Sequence, residues 1–173
     1  MKKILFVALI TSLSFGDFFD FLKRTKGVEN PQNELYAEAC GECHFAYQPG
    51  WLPKRSWQKM MLPEELEDHF GEVADMDEED RVLTLKFLVD HSAETSKYKS
   101  SKKIMVSIKD DETPLAMSKT RYLKRKHSKI DEKLYKQKEV RSLSYCNKCH
   151  TKADKGSFDD DEVKIPNYGV WER

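Results

Sequence analysis

Cys-Gly-Glu-Cys-His occupies residues 40–44, and Cys-Asn-Lys-Cys-His occupies residues 146–150. The two stretches follow one pattern and contain all four cysteines of the 173-residue chain. Cysteines three positions apart lie on one side of a helical turn, where each can form a thioether with a haem vinyl group, and the next histidine can bind the iron. The pattern predicts two covalently bound haem c groups, held by Cys40, Cys43, Cys146 and Cys149, with His44 and His150 as iron ligands.

Three other interpretations of the cysteine pairs are weaker. The two pairs are about 100 residues apart, whereas zinc ribbons use a much shorter spacing, and a zinc site does not explain a histidine after both pairs. A thiol–disulfide redox protein presents one such motif and needs no histidine after it. A disulfide between cysteines three positions apart closes too small a loop to stabilise a fold well.

The N-terminus has the pattern of a secretory signal peptide. Lys2 and Lys3 precede a mostly apolar stretch, residues 4–15, and small residues Ser14 and Gly16 mark a cleavage site before Asp17. The stretch is shorter than the roughly 20 apolar residues that span a bilayer. Residues 1–16 are therefore expected to be removed on export, and haem attachment outside the cytoplasm agrees with a periplasmic location.

The composition excludes some function classes and favours a fold completed by cofactor. Thirty basic residues balance thirty acidic ones, so no overall basic excess favours nucleic-acid binding, and no long apolar run in the mature chain indicates a multi-pass membrane protein. Only 39% of residues are hydrophobic, and the mean hydropathy is −0.73. We expect a mainly α fold with little β structure, in which two small helical modules pack around the haems.

The predicted modules carry opposite charge. Residues 17–95 hold 8 basic and 18 acidic residues, a net charge of −10, and residues 96–173 hold 20 basic and 12 acidic, a net charge of +8. The predicted boundary lies in a Ser- and Lys-rich linker at residues 93–104, followed by a short strand at 106–108. Such a charge separation would orient redox partners.

Helices are predicted at about 31–40, 55–61, 63–70, 78–90, 115–129 and 131–150 from apolar spacing and from Pro, Gly and Asp signals at their ends.

Each iron needs a second axial ligand, for which His69, His91 and His127 are candidates. His69 follows Leu66 by three positions on the predicted helix 63–70, and His127 shares a helical face with Leu123. His91 lies near a predicted helix end and remains an alternative to His69. We expect His69 to pair with His44 and His127 to pair with His150, since two histidines hold a haem at low potential and leave no open position.

Several segments together resemble the small dihaem cytochromes c. The resemblance covers most of residues 35–166 and is strongest in the run from Cys40 to Trp57, which reads CGECHFAYQPGWLPKRSW. It continues in Asp68-His69-Phe70-Gly71-Glu72, Lys126-His127, the second motif and Gly156-Ser157-Phe158. The resemblance implies bis-histidine ligation, which transfers by motif match to His69 and His127 and leaves His91 unmatched.

The expected function is one-electron transfer rather than catalysis, with no nucleic acid and no small-molecule substrate. The resemblance implies a membrane cytochrome b-type donor and a soluble acceptor such as a monohaem cytochrome. The basic segment before Lys126 departs from what the family leads us to expect and could alter the choice of partner. Two alternatives are a dihaem peroxidase-like enzyme and a haem-based gas or ligand sensor, and both require one open iron.

Overall fold

The computed structural model describes residues 27–171, so the predicted export signal at residues 1–16 lies outside the described part. The described chain is mainly α-helical, as predicted. Its helices are α1 (Glu34–Gly41), α2 (Lys54–Met60), α3 (Pro63–Glu67), α4 (Glu78–Asp90), α5 (Lys99–Ser107), α6 (Arg121–His127) and α7 (Glu132–Lys136). Strands β1 (Lys164–Ile165) and β2 (Gly169–Val170) form one antiparallel pair. Among the described helices, none is long and apolar enough to cross a membrane.

Local sequence signals explain how α1 and α4 begin. The side chain of Asn33 accepts a hydrogen bond from the backbone N–H of Tyr36 and so caps α1. Asp77 precedes α4, and the acidic first turn of α4 complements the positive end of the helix dipole. Both helices therefore start within a few residues of their predicted positions.

The main hydrophobic core lies between residues 28 and 122, where α2 packs against α4 and α5 packs against α6. Leu88 of α4 is 1% exposed and Ile104 of α5 is fully buried. The apolar run of α4 is only partly a core face, because Val82 and Leu83 are about half exposed. The core comprises Val28, Tyr36, Trp51, Leu52, Trp57, Met61, Leu66, Leu88, Ala93, Ile104, Ile108, Met117 and Tyr122.

The predicted linker and the predicted strand are both wrong. Residues 99–107 form α5, which contains the whole second half of the linker and the first two residues of the expected strand, and Ile108 is its C-cap. Ser101 of α5 is buried against Gly50, where an added Cβ would lie 2.8 Å from the Ser101 hydroxyl. A Ser- and Lys-rich segment thus packs as a helix because its small residues meet a glycine.

The C-terminal part contains less helix than predicted. Helix α6 replaces the expected helix at 115–129, and α7 ends at Lys136 rather than running to residue 150. Turns and short 3-10 segments lead into the second motif. The division into modules at residues 17–95 and 96–173 stays a prediction, and the main core contains residues from both sides of it.

Candidate haem-binding sites

The second motif forms a tight helical turn. The backbone N–H groups of Cys149 and His150 both donate to the Cys146 carbonyl, at 3.2 and 2.8 Å. The chain then returns alongside the motif, where the N–H of Lys164 donates to the Cys149 carbonyl at 2.9 Å. The turn brings Cys146 and Cys149 to the same cavity as His150.

His127 faces His150 across this cavity. The two ring centroids are 6.2 Å apart, and the rings are nearly perpendicular, at 83°. His127 is the last residue of α6, so the length of this helix decides where the imidazole lies.

The cavity between these histidines is mostly apolar. It encloses about 1140 Å³ of space between atoms, part of it open to solvent. Phe158 packs against His150, with ring centroids 5.2 Å apart, and Trp51 packs edge-on against Phe158 at 4.9 Å. The remaining apolar lining comes from Met117, Tyr122, Leu123, Ile130, Leu134, Tyr135, Val140, Leu143, Tyr145, Val163, Ile165 and Trp171.

The first motif begins inside a helix and ends outside it. Cys40 lies in the last turn of α1, whereas Cys43 and His44 follow in a bend. The Nδ1–H of His44 donates to the Phe45 carbonyl at 2.8 Å. This hydrogen bond leaves Nε2 of His44 as the nitrogen available to an iron.

His69 faces His44. The sequence predicts His69 on a helix, but the residue lies outside one. Helix α3 ends at Glu67, and the chain reverses so that the His69 N–H donates to the Glu72 carbonyl at 2.7 Å. Phe70 and Gly71 have positive φ angles of 59° and 93° in this turn. The ring centroids of His44 and His69 are 6.2 Å apart, and their planes differ by 26°.

The spacing of both histidine pairs fits an iron held between two imidazoles. Nitrogens bound at about 2 Å on opposite sides of one metal place the ring centroids about 6 Å apart. Both pairs have this separation, and one pair borders an apolar cavity that also contains two cysteines. The described residues therefore fit two bis-histidine haems.

Three of the four imidazoles have lowered pKa values, which favours the neutral form that binds metal. Burial lowers the pKa of His127 and of His69, and the neighbouring His44 lowers the pKa of His69 further. Burial, followed by repulsion from His127, lowers the pKa of His150 to about 4. The Nδ1–H of His127 donates to the Leu123 carbonyl at 2.9 Å, which leaves Nε2 free to bind iron.

The cysteines do not form the alternative sites considered from sequence. All four are free of disulfides, and burial raises the pKa of Cys40 to about 11 and that of Cys146 to about 12. Within residues 27–171, no group of three or more His, Cys, Asp or Glu side chains is arranged to hold a metal ion.

His91 lies away from both histidine pairs. Its ring contacts Phe87, with centroids 5.1 Å apart, and its Nδ1 is 3.5 Å from a carboxylate oxygen of Glu29. It lines a separate hollow with residues of α1 and α4. The geometry therefore favours His69 over His91 as the partner of His44.

The two sites are joined by Tyr47, for which the sequence predicts no role. Its ring lies 5.0 Å from the His44 ring, and its hydroxyl donates to the Ser144 carbonyl at 2.7 Å, two residues before Cys146. The Tyr36 hydroxyl donates to the Tyr47 carbonyl at 2.5 Å. The only sequence signal for this connection is the position of Tyr47 in the conspicuous run after the first motif.

Gln48 adds a second connection. Its buried side-chain amide donates to the Ala153 carbonyl at 2.6 Å and to the Asn30 side chain at 3.0 Å. The segment after the first motif is thus attached to the segment after the second.

One protein family matches the chain over most of its length. The sequence profile of the family described as dihaem cytochrome c matches residues 36–158. The chain belongs to the dihaem cytochrome c family. A dihaem cytochrome c has two covalently bound haem c groups, so the predicted cofactors are confirmed, and the family indicates electron transfer.

Solved structures of dihaem cytochromes c share the fold. The protein from Shewanella baltica is 32% identical, with a TM-score of 0.66, and the match covers 82% of this chain and 99% of that one. A dihaem cytochrome c from Rhodobacter sphaeroides is 34% identical, with a TM-score of 0.64, covering 73% of this chain and 97% of that one. Among curated proteins no significant match is found.

Proposed function

We propose that this dihaem cytochrome c is an exported one-electron carrier with both irons closed by histidines. Cys40 and Cys43 attach one haem between His44 and His69, here called haem 1. Cys146 and Cys149 attach haem 2 between His127 and His150. The observation that carries this proposal is the 6.2 Å separation of the ring centroids in both pairs.

Closed irons favour electron transfer over catalysis. Haem iron supplies a one-electron redox couple, whose potential depends on its axial ligands and on the burial of the site. The chain contributes fixed imidazoles, because the carbonyls of Phe45 and Leu123 hold the rings of His44 and His127. Fixed ligands keep the coordination the same in both redox states, so little rearrangement accompanies each transfer.

The proposed partners follow from the family resemblance and the charge distribution. A membrane cytochrome b-type protein would donate electrons, and a soluble haem protein such as a monohaem cytochrome would accept them. The signal pattern of residues 1–16 supports export to the periplasm, where such partners are expected. Sequencing of the N-terminus of exported protein should begin at Asp17.

Carbon monoxide tests whether the irons are closed. The reduced holoprotein should keep its visible spectrum under carbon monoxide, because neither iron has an open position. A spectral change at one haem would support the sensor alternative and contradict the proposed ligand set. In the same preparation, addition of peroxide with a reduced donor dye should give no turnover above that of a haem peptide, whereas sustained turnover would indicate a peroxidase.

A further inference from the structure

Positive side chains from α5 and α6 gather beside the haem 2 cavity. The two helices pack against each other, and Ser100 of α5 and Lys126 of α6 both line the cavity. Lys99 and Arg125 directly precede these lining residues, and Lys103 lies one helical turn after Lys99. Lys99, Lys103, Arg125 and Lys126 are all exposed, and together they are called the α5–α6 cationic surface.

The charges of this surface are concentrated rather than balanced. Within residues 27–171, Lys126 alone of the four forms an ion pair, with Asp160 at 2.9 Å. The Arg125 guanidinium lies 5.9 Å from the centre of the Tyr122 ring. Partial loss of hydration lowers the pKa of the exposed Lys103, and the positive charges of Lys99, Lys126 and Arg125 lower it further. Lys99, Lys103 and Arg125, gathered beside the paired Lys126, therefore attract an anionic partner.

The turn that carries His69 at haem 1 is acidic, although Lys119 Nζ lies 6.0 Å from the centre of the neighbouring Phe70 ring. Glu67, Asp68 and Glu72 flank His69, and all three are exposed. A partner attracted to the α5–α6 cationic surface would be repelled by this acidic turn. The charge distribution therefore selects which haem an acidic partner approaches.

We propose that the α5–α6 cationic surface docks an acidic redox protein and makes haem 2 the site of electron exchange with it. This inference rests on the proposed function, because it assigns one of the carrier's partners to one haem. The surface lies at the cavity that holds haem 2, so a protein bound there is close to the redox centre. An anionic membrane is a poorer occupant, because a helix that lies on a membrane buries a whole apolar face in the lipid. Helix α5 exposes only one large apolar side chain, that of Val106.

Matched charge variants of the holoprotein test this inference. The cluster variant carries Lys99→Gln, Lys103→Gln and Arg125→Gln. The control variant carries Lys59→Gln, Lys86→Gln and Lys155→Gln, which remove the same charge from exposed positions elsewhere. Stopped-flow oxidation of each reduced protein is measured with plastocyanin, an acidic copper protein, and with p-benzoquinone, an uncharged oxidant.

We expect the cluster variant to react about fivefold or more slowly with plastocyanin at low ionic strength, whereas the control changes much less. The difference should vanish towards 1 M salt, where the Debye length is about 3 Å. Oxidation by the quinone should be the same in all three proteins. If the rate of oxidation by plastocyanin fell equally in both variants, only the net charge of the protein would matter, and the proposed docking surface would be overturned.

Two further outcomes would also contradict the inference. A changed quinone rate or visible spectrum in the cluster variant would show that these cations serve haem 2 itself. The surface would be assigned to lipid if the wild-type protein bound phosphatidylglycerol vesicles, the cluster variant did not, and both proteins reacted with plastocyanin at the same rate. Failure of the wild-type protein to reduce even the quinone would instead overturn the proposed carrier function.

Discussion

The relative orientation of the two imidazoles distinguishes the histidine pairs. The rings of His44 and His69 are 26° from parallel, whereas those of His127 and His150 are 83° apart. Parallel imidazoles donate to the same iron d orbital and split it from its neighbour, whereas perpendicular imidazoles act on both orbitals alike. The two irons should therefore give separate low-spin signals in electron paramagnetic resonance, even though their ligands are chemically identical.

Replacing His127 tests this assignment at a single residue. His127→Ala should convert haem 2 to a high-spin or open form and remove only the signal that belongs to the perpendicular pair. Haem 1 should keep its low-spin spectrum, because His44 and His69 are untouched. His91→Ala is the control and should leave both signals in place. Two unchanged signals in His127→Ala would show that another residue closes haem 2.

Tyr47 gives a prediction about alkaline stability. Burial is the main cause that raises the pKa of its phenol, so the folded protein keeps it neutral above pH 10, where an unfolded chain ionises. Its contribution is therefore complete below about pH 10 and is lost as the pH rises further. Tyr47→Phe should lower the free energy of unfolding by about 1 kcal/mol at pH 7 and make its decline above pH 10 less steep.

Denaturant unfolding of the holoprotein at several pH values measures this effect. Tyr168→Phe is a suitable control, since Tyr168 is 56% exposed and should change neither quantity by much. An identical alkaline decline in wild type and Tyr47→Phe would mean that Tyr47 does not stay neutral in the folded protein.

At the scale of elements, sequence predicted the motifs better than the connections between them. Apolar spacing predicts His69 on a helix, yet it reaches His44 through the turn after α3, where the Asp68 side chain accepts from the Gly71 N–H at 2.9 Å. Single-sequence periodicity does not reveal such a turn. The composition of α5 does not predict a helix, because Ser and Lys dominate it, although Ser101, Ile104 and Ile108 have helical spacing and are buried.

The segments at Val28 and Gly156 lie in close contact, which gives a prediction about stability. The Val28 N–H donates to the Gly156 carbonyl at 3.0 Å, and a Cβ on Gly156 would lie 2.5 Å from the Val28 carbonyl oxygen. Gly156 also has a φ of 73°. Gly156→Ala should therefore destabilise the protein through both backbone strain and displacement of the segment at Val28.

The control variant Gly169→Ala separates backbone strain from the clash of the added Cβ, because it has only the strain. Gly169 has a φ of 105°, but an added Cβ would meet nothing within 4 Å. It should cost about 1–2 kcal/mol in thermal or denaturant unfolding, and Gly156→Ala should cost about 1–3 kcal/mol more. Equal costs for the two variants would show that the segment at Val28 moves aside freely.

At the scale of the whole molecule, the polypeptide packs a core of its own within residues 28–122, whereas the C-terminal part depends on the haem 2 site for its packing. The main hydrophobic cluster lies between residues 28 and 122. Beyond it, the buried apolar side chains of the described chain are Val140, Ala153, Val163 and Ile165, and three of these line the haem 2 cavity. The C-terminal part thus packs against the space for haem 2 rather than against a core of its own.

The variant Cys146→Ser/Cys149→Ser should therefore lose structure in one part of the chain only. Without attached haem 2, the apolar lining around His150 has nothing to pack against, and hydration of that surface favours local unfolding. Amide hydrogen exchange should accelerate by several orders of magnitude across residues 131–171, while α2 and α4 keep their protection and haem 1 keeps its low-spin spectrum. Protection that persists in β1 and around Ala153 would show that the C-terminal part folds on its polypeptide contacts alone. Loss of protection in α4 as well would show that haem 2 also supports the main cluster, through the connections that Tyr47 and Gln48 make.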